Sequence, residues 1–201
     1  LNSLGEALDF PLKPYTRYWY TVAVRSDHGE KAVSQPCFFE TGKPGDPWKG
    51  QWLGVEDGDT HPEIQKSFSL PEKPRAARLY ICGLGLFEAY INGEKAGNDL
   101  LAPFLNDYTE HFQYCTYDVT GLLAENNTLS VLLGDGWYRQ NTEDEWGFCR
   151  APWRDEQKLL FEMKGAADVF SDESWLCSSG EIVRSDLRLG ETVDLRCKTD
   201  W

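Results

Sequence analysis

A stretch at residues 134–156, GDGWYRQNTEDEWGFCRAPWRDE, concentrates side chains that could do chemistry. Trp and Tyr rings can stack on the C–H-rich face of a sugar, while Asp, Asn and Arg can hydrogen-bond its hydroxyls. Asp135, Trp137, Tyr138 and Arg139 therefore form a candidate carbohydrate-binding group. A structural explanation stays open, in which Asx turns end the hairpins and Trp side chains plug the edge of a sandwich.

A second polar stretch, GNDLLAPFLNDY at residues 97–108, offers oxygen ligands of the kind that calcium prefers. These are Asn98, Asp99, Asn106 and Asp107. Their spacing does not fit an EF-hand loop, so a calcium site would have to be assembled from separate loops. Asx turns are the structural alternative here as well.

Catalytic motifs are harder to identify in this chain. His28, His61 and His111 do not pair with a Ser or Cys nucleophile in any known motif, and Gly-x-Ser-x-Gly is absent. We expect these histidines to lie at the surface or to be satisfied by hydrogen bonds. With 33 Asp and Glu residues, a glycosidase carboxylate pair cannot be chosen without geometry.

The elements that must position these groups read as β-strands. In GLGLFEAYINGEKAG, residues 83–97, a dinucleotide fingerprint would need a third glycine in register and a following helix. The apolar residues instead favour a strand over 79–91, and Asn92-Gly93 predicts a type I′ hairpin turn. Gly83 and Gly85 would let the sheet bend or another group approach the backbone.

Short strand-like runs separated by turn signals predict an all-β fold, a jelly-roll-like antiparallel β-sandwich. Leu159–Lys164 is predicted as a strand although its composition would suit a helix, and DVTGLLAENN as one short helical turn capped by Thr120 or Asp118. The other predicted strands are IQKSFSL, ARLYICGLGLFEAYI, QYCTYDV, TLSVLL, DVFS, WLCSS and TVDLR.

The first 42 residues predict a separate β unit. LKPYTRYWYTVAV resembles the tyrosine-corner segment of a fibronectin type III domain, whose spacing is matched by Leu12, Pro14, Thr16, Tyr18, Val22 and Val24. Such a sandwich needs about 100 residues, so 1–42 would be its C-terminal half. The alternative is a leading hairpin of the next domain. A linker at 43–47 and a single domain at 48–201 complete the expected organisation.

The charge balance limits the partners. Lys and Arg number 20 against 33 Asp and Glu, a net charge of −13, which disfavours nucleic acid and anionic membranes. The six cysteines are scattered without a C-x-x-C pair, and we expect most to be buried reduced thiols, which favours a cytoplasmic location. The chain begins at Leu1 rather than Met, so we expect a fragment and leave export open.

Several motifs occurring in order resemble one family. They are WKGQWLG, CGLGLFEAYINGEKAG, LLAPFLNDYTEHFQYCTYDVTGLL, LLGDGWYR and SDESWLCSSGEIVRSDLRLGETVDLR. Together they resemble the N-terminal β-sandwich region of bacterial α-L-rhamnosidases, the inverting family 78 glycoside hydrolases. The resemblance runs from Trp48 nearly to the end, and a fibronectin-like segment in front is also typical of such enzymes.

The resemblance implies a modular enzyme whose catalytic acid and base lie in a downstream (α/α)₆ barrel of the same chain. The parent would release terminal α-L-rhamnose with inversion, and this portion would be a non-catalytic accessory fragment, inactive alone. Related domains can bind rhamnose with calcium, which implies Asn98 and Asp99 as the polar pair and L-rhamnose-containing glycans as partners. Three alternatives remain: a scaffold without ligand, a calcium-assisted rhamnose-binding module, and an adhesin-like interaction protein.

Overall fold

The computed structural model describes residues 10–43, 45–54, 61–166 and 169–197. The described chain is built from antiparallel β-strands, with one 3-10 turn at Phe148–Arg150. It forms two compact units, residues 1–47 and 48–201, and the ends of the predicted domains at 1–9 and 198–201 lie outside the described residues. The strands are β1 (Arg17–Tyr20), β2 (Ala23–Arg25), β3 (Lys31–Val33), β4 (Cys37–Glu40), β5 (Leu53–Gly54), β6 (Pro62–Ser69), β7 (Arg78–Leu84), β8 (Leu86–Ile91), β9 (Glu94–Lys95), β10 (Cys115–Asp118), β11 (Asn126–Gly134), β12 (Lys158–Lys164), β13 (Leu176–Ser179), β14 (Ile182–Arg184) and β15 (Thr192–Val193).

The first unit consists of two antiparallel pairs, β1 with β4 and β2 with β3. The backbone N–H of Lys13 donates to the Tyr18 hydroxyl oxygen at 2.7 Å. A tyrosine whose hydroxyl bonds backbone a few residues upstream is the feature expected of a tyrosine corner. The fibronectin-like domain itself stays a prediction, because the two strand pairs alone do not define that fold.

The second unit packs a four-stranded sheet, in the order β10-β7-β12-β5, together with a five-stranded sheet, β13-β6-β11-β8-β9. The hairpin β14–β15 is separate from both sheets. Alternate residues of each sheet form one apolar core, including Ile81 and Phe161 from the first sheet and Ile91, Leu129 and Val131 from the second. The predicted antiparallel all-β fold is therefore confirmed, while the jelly-roll topology stays a prediction.

The glycines of the GLGL segment mark a passage between the sheets. The prediction of one continuous strand over 79–91 is wrong, because the chain leaves the first sheet as β7 ends at Leu84 and joins the second as β8 begins at Leu86. Gly85 between them has φ 107°, and a Cβ there would overlap the carbonyl oxygen of Gly134. A residue with a side chain would clash at this crossing.

Two local predictions are confirmed. Asn92 and Gly93 have φ 55° and 81°, which are the two positive values that a type I′ turn requires, and they connect β8 to β9. The segment whose composition suits a helix is strand β12, which pairs with β7. The predicted helical turn is a single hydrogen-bonded turn and not a helix: the Leu122 N–H donates to the Val119 carbonyl at 3.0 Å. Asp118 lies at its start and accepts a hydrogen bond from the Thr120 N–H at 3.1 Å, an Asx turn.

The cysteines are more exposed than the sequence analysis predicts. Among the six free cysteines only Cys82 is buried, and Cys37, Cys177 and Cys197 are exposed, so the expectation of mostly buried thiols is wrong. The predicted strand DVFS reduces to an isolated bridge between Phe170 and Glu162, and its first residue lies outside the described residues. No helix in the described part of the chain is long and apolar enough to cross a membrane.

Candidate functional site

Asp135 is a buried junction where strands of both sheets begin or end. It directly follows β11 and is 2% exposed. Its carboxylate accepts hydrogen bonds from Arg139 Nη1 at 3.0 Å, Gln157 Nε2 at 2.6 Å and Asn141 Nδ2 at 2.9 Å. Arg139 also pairs with Glu156 Oε2 at 3.0 Å. The structure thus brings the predicted residues Asp135 and Arg139 together, but as an internal brace that holds the start of the loop.

His61 approaches the same carboxylate from the start of β6. Its Nε2 lies 3.5 Å from Asp135 Oδ2, its side chain is buried, and neither ring nitrogen has a hydrogen-bond partner among the described residues. The expectation of a surface or satisfied histidine is wrong for this residue. The sequence places His61 in a loop before Pro62 and carries no signal that this loop would fold inward.

Tyr138 is also withdrawn from solvent. It packs edge to face on Tyr108 with ring centroids 5.1 Å apart, in a small cluster with Leu84. Burial raises the pKa of both phenols, that of Tyr108 to about 12. Tyr138 is therefore placed to fill the sandwich edge, as the structural alternative expected, and not to meet a sugar.

The outer part of the loop carries an aromatic platform made of Trp137, Trp146 and Phe148. The Trp137 and Trp146 rings lie 5.5 Å apart between centroids, and Phe148 lies 5.6 Å from Trp137. Trp146 is 61% exposed, and the Arg188 guanidinium carbon lies 4.9 Å from its ring centroid. A cation over an indole face is attracted to it, which holds the exposed ring in place.

Asp144 fixes this platform from beneath. Its carboxylate accepts hydrogen bonds from Gln140 Nε2 at 2.7 Å, from the backbone N–H groups of Trp146 at 3.0 Å and Gly147 at 2.9 Å, and from Arg188 Nε at 3.1 Å. Burial alone would raise the pKa of this carboxyl, but the hydrogen bonds and the Arg188 charge outweigh it and the pKa is lowered. The ionised form is therefore the one that this site stabilises.

Asp186 joins the platform to the segment after β14. It accepts hydrogen bonds from the Thr142 hydroxyl and from the backbone N–H groups of Arg188 at 2.8 Å and Leu189 at 3.0 Å. These bonds outweigh burial and lower the pKa of Asp186.

Four residues of the platform and its supports were not predicted from the sequence: Asp144, Trp146, Asp186 and Arg188. Asp144 and Trp146 lie inside the stretch at 134–156, where the only available signal was its aromatic density.

The predicted calcium ligands lie elsewhere on the second unit. Asn98 and Asp99 are exposed, and Asp99 accepts a hydrogen bond from the Tyr117 hydroxyl at 3.0 Å. The Asn106 amide donates to the Phe104 carbonyl at 2.9 Å, and the Asp107 carboxylate accepts from the Thr109 N–H at 3.1 Å. Across the described ranges, no hydrogen bond or ion pair links Asn98 or Asp99 to Asp135.

These residues do not by themselves fit a calcium ion. In the part of the chain that the structure describes, no three His, Cys, Asp or Glu side chains gather into a group that could hold a metal. Calcium takes about 6–8 oxygen ligands, and two adjacent exposed side chains supply a minority of them. Calcium and the Asn98–Asp99 site stay predictions, and no chemical step is derived from them.

Comparison with known proteins places this geometry in a family. Residues 72–201 match the family described as the α-L-rhamnosidase N-terminal domain. An α-L-rhamnosidase of Streptomyces avermitilis is 34% identical over 179 residues, which cover 82% of this chain and 17% of that protein. The native α-L-rhamnosidase structure from Aspergillus terreus superposes with a TM-score of 0.81 at 29% identity, covering 94% of this chain and 24% of that one.

A second similar structure is the Streptomyces avermitilis α-L-rhamnosidase complexed with L-rhamnose, with a TM-score of 0.64 and 29% identity over 88% of this chain and 20% of that chain. The chain thus spans about a quarter or less of the length of each relative, so the activity of a whole enzyme does not transfer to it directly. The matched region includes β7 to β15, the Asp135 junction and the aromatic platform. The chain belongs to the α-L-rhamnosidase N-terminal domain family.

Proposed function

We propose that this chain is a non-catalytic accessory region of an α-L-rhamnosidase that hydrolyses terminal α-L-rhamnose with inversion. The observation that carries the proposal is the family match, together with the quarter or less of each relative that the chain spans. Its partner would then be the catalytic part of the same polypeptide, which we expect to be an (α/α)₆ barrel. A cytoplasmic location belongs to the same proposal.

The carboxyls whose pKa values are shifted fit a non-catalytic role. An inverting glycosidase needs one carboxyl with a raised pKa, which can protonate the leaving oxygen at neutral pH. In the described ranges, each Asp or Glu with a resolved shift has a lowered pKa. They are Glu88, Asp107, Asp144, Asp155, Asp172, Asp186 and Asp194. Such groups are ionised at neutral pH and are poor general acids.

Carbohydrate contact is the second candidate function, and the aromatic platform favours it. Trp146 presents an exposed ring. Its position is held by the Arg188 guanidinium and by the hydrogen bond from the Trp146 N–H to the Asp144 carboxylate. A rigid exposed indole with polar groups at its edge suits the apolar face of a sugar. Of the four candidate residues within the stretch at 134–156, only Trp137 belongs to this surface. The others, Asp135, Tyr138 and Arg139, would support it from within.

Activity of the purified chain tests the first proposal. We expect no release of rhamnose from a chromogenic α-L-rhamnoside by the 201-residue chain at any pH between 4 and 8. A preparation that hydrolyses this substrate, and loses the activity in a carboxylate variant such as Asp186→Asn, would overturn the non-catalytic assignment. An adhesin-like protein would be indicated instead if the full coding sequence contained no glycosidase domain.

Calorimetry with L-rhamnose tests the second candidate. We expect binding that Trp146→Ala weakens at least tenfold, while Asp99→Ala has the same affinity as the wild type in a chelator. If calcium is required and Asp99→Ala abolishes binding, the calcium-assisted module is the correct alternative. If no heat appears with or without calcium, the scaffold without ligand remains.

A further inference from the structure

A segment between β9 and β10 presents four large apolar side chains to solvent. Leu100, Leu101, Phe104 and Leu105 are all exposed, and Phe104 is 80% exposed. Single exposed apolar residues are ordinary on a protein surface, whereas a contiguous group of this kind marks an interaction site. We call residues 100–105 the apolar loop.

The backbone of the apolar loop is fixed on both sides. Ala102 is buried, and its carbonyl oxygen accepts a hydrogen bond from the Phe87 N–H at 2.8 Å. The Asn106 amide donates to the Phe104 carbonyl at 2.9 Å, and its oxygen accepts from the Gln113 N–H at 3.2 Å. Because these bonds hold the loop in one conformation, its exposed side chains need little further ordering to bind a partner.

Leu101 is held in a backbone conformation that suits glycine better than leucine. Its φ is 55°, in the left-handed region, where a bulky side chain is strained. Such residues are concentrated at functional sites, where the surrounding structure holds them in place. An exposed leucine at this position is therefore unfavourable for the domain on its own, and contact with a partner would offset that cost.

A cavity beside Leu101 extends the apolar loop into a wider surface. Its volume is about 200 Å³. The apolar side chains that line it come from the loop and from three strands, and they include Leu101, Leu86 of β8, Leu132 of β11 and Ile182 of β14. The hairpin β14–β15 also exposes Val183 and Val193. We call the apolar loop, this cavity and the hairpin together the docking face.

The charged groups at the cavity are both acidic. Glu88 and Glu191 line it, and the lining contains no basic side chain from the described residues. Glu88 is paired with Lys95, whereas Glu191 is exposed and forms no ion pair with the described part of the chain. A partner that places a Lys or Arg beside an apolar side chain would complement both the charge and the cavity.

The size of the relatives favours a partner within the same polypeptide. This chain spans 24% or less of each relative reported above, and its family is an N-terminal domain, so most of each relative lies outside the matched region. A neighbouring domain on the same polypeptide is held at a high effective concentration. It would also cover the docking face permanently, which removes the aggregation risk of a free apolar surface.

We propose that the docking face binds the catalytic part of the same polypeptide, with an apolar side chain of that part in the cavity and a Lys or Arg opposite Glu191. The identity of this partner rests on the proposed function. The fixed apolar loop, the cavity and the unpaired Glu191 do not depend on it.

Hydroxyl-radical footprinting tests the proposal by measuring the labelling rate of side chains in two proteins. One is the 201-residue chain, and the other is the protein encoded by the full coding sequence. We expect Leu101 and Phe104 to be labelled about fivefold more slowly in the full-length protein, because an interface excludes solvent from its core. Leu176, which is exposed on the edge strand β13, is the internal control and should be labelled equally in both. Equal labelling of Phe104 in the two proteins, or protection no greater than that of Leu176, would overturn the proposal.

A reversal of charge at the cavity tests the electrostatic part. In the full-length protein, Glu191→Lys should raise the labelling rate of Phe104 about threefold, because the new cation would face the partner's own. Glu173→Lys makes the same change at an exposed position before β13 and should leave the rate unchanged. Circular-dichroism melts establish that both variants fold. Equal rates in wild type and both variants would overturn the contact with Glu191.

Sedimentation of the 201-residue chain tests a second copy as the occupant. Dimers that form with rising concentration and that Phe104→Ser abolishes would assign the docking face to self-association and overturn the proposal. Protection of Phe104 in a full-length protein that releases no rhamnose would contradict the proposed function alone. Rhamnosidase activity in a full-length protein whose Phe104 is labelled as fast as in the 201-residue chain would contradict this inference alone.

Discussion

The two ends of the loop at residues 134–156 differ in what their similar-looking residues do. At the inner end, Asp135 is 2% exposed and its carboxylate is bonded to side chains of the loop and of the residue before β12. At the outer end, Trp146 is 61% exposed. Its backbone N–H donates to the Asp144 carboxylate, and the face of its ring contacts the Arg188 guanidinium. Residues that look equally suited to bind a sugar divide into a buried brace and an accessible surface. Residue type alone therefore does not separate a bracing side chain from an accessible one, because each end of the loop has its own set of hydrogen bonds.

The largest expected effect comes from changing the crossing beside the inner brace. Gly85→Val should destabilise the second unit by about 3 kcal/mol or more, because its Cβ would overlap the Gly134 carbonyl at positive φ. Thermal and urea unfolding would measure the change. Gly93→Val, at a turn with open space around it, is the matched control and should cost roughly 1 kcal/mol from backbone strain alone. Equal effects in the two variants would contradict the crowding at Gly85.

Removing the brace itself should have the next largest effect. Asp135→Ala leaves the half-buried Arg139 guanidinium and the Gln157 amide without their shared acceptor, at a cost of roughly 2–4 kcal/mol. Asp99→Ala, which removes one exposed acceptor, is the control and should cost less than about 1 kcal/mol. Urea unfolding of both variants separates them. A stability loss no larger than the control would show that Asp135 does not brace the loop.

Low pH should destabilise the outer end of the loop. Asp144 and Asp186 have folded-state pKa values below the ordinary 3.8, so their stabilisation is complete at higher pH and is lost as the pH falls below that value. Asp186→Asn should therefore melt at a lower temperature than wild type at pH 7, and the difference should shrink toward pH 2.5. Circular-dichroism melts across this range would test it. A difference that is constant with pH would count against the hydrogen bonds of Asp186.

The smallest effect on stability is expected at the platform surface. Trp146→Ala removes an exposed ring and its contact with Arg188, which should cost less than about 1 kcal/mol. The same variant should lose the platform's sugar binding. A change at the outer end would then reduce binding with little effect on stability, whereas a change at the inner end reduces stability. Urea unfolding beside calorimetry would show this. A large stability loss would assign Trp146 to the brace instead.

Local signals in the chain predicted one turn, one strand and the family. Asn92-Gly93 forms its turn because few residues adopt two consecutive positive φ values, and the short apolar run TLSVLL between turn signals predicted β11. The series of motifs also identified the family, because the motifs and their order can be read from the sequence without a structure. These signals are carried by neighbouring residues and need no long-range contact.

Long-range packing decided the rest. Only the tertiary structure divides residues 79–91 between two sheets, buries His61 against Asp135, and turns Tyr138 inward while Trp146 stays exposed. It also places the ring of Trp52 edge to face on that of Phe112, which lies sixty residues further along the chain. Whether a polar or aromatic side chain braces the fold or meets a ligand depends on which face the sheets cover, and that is settled by contacts between distant strands.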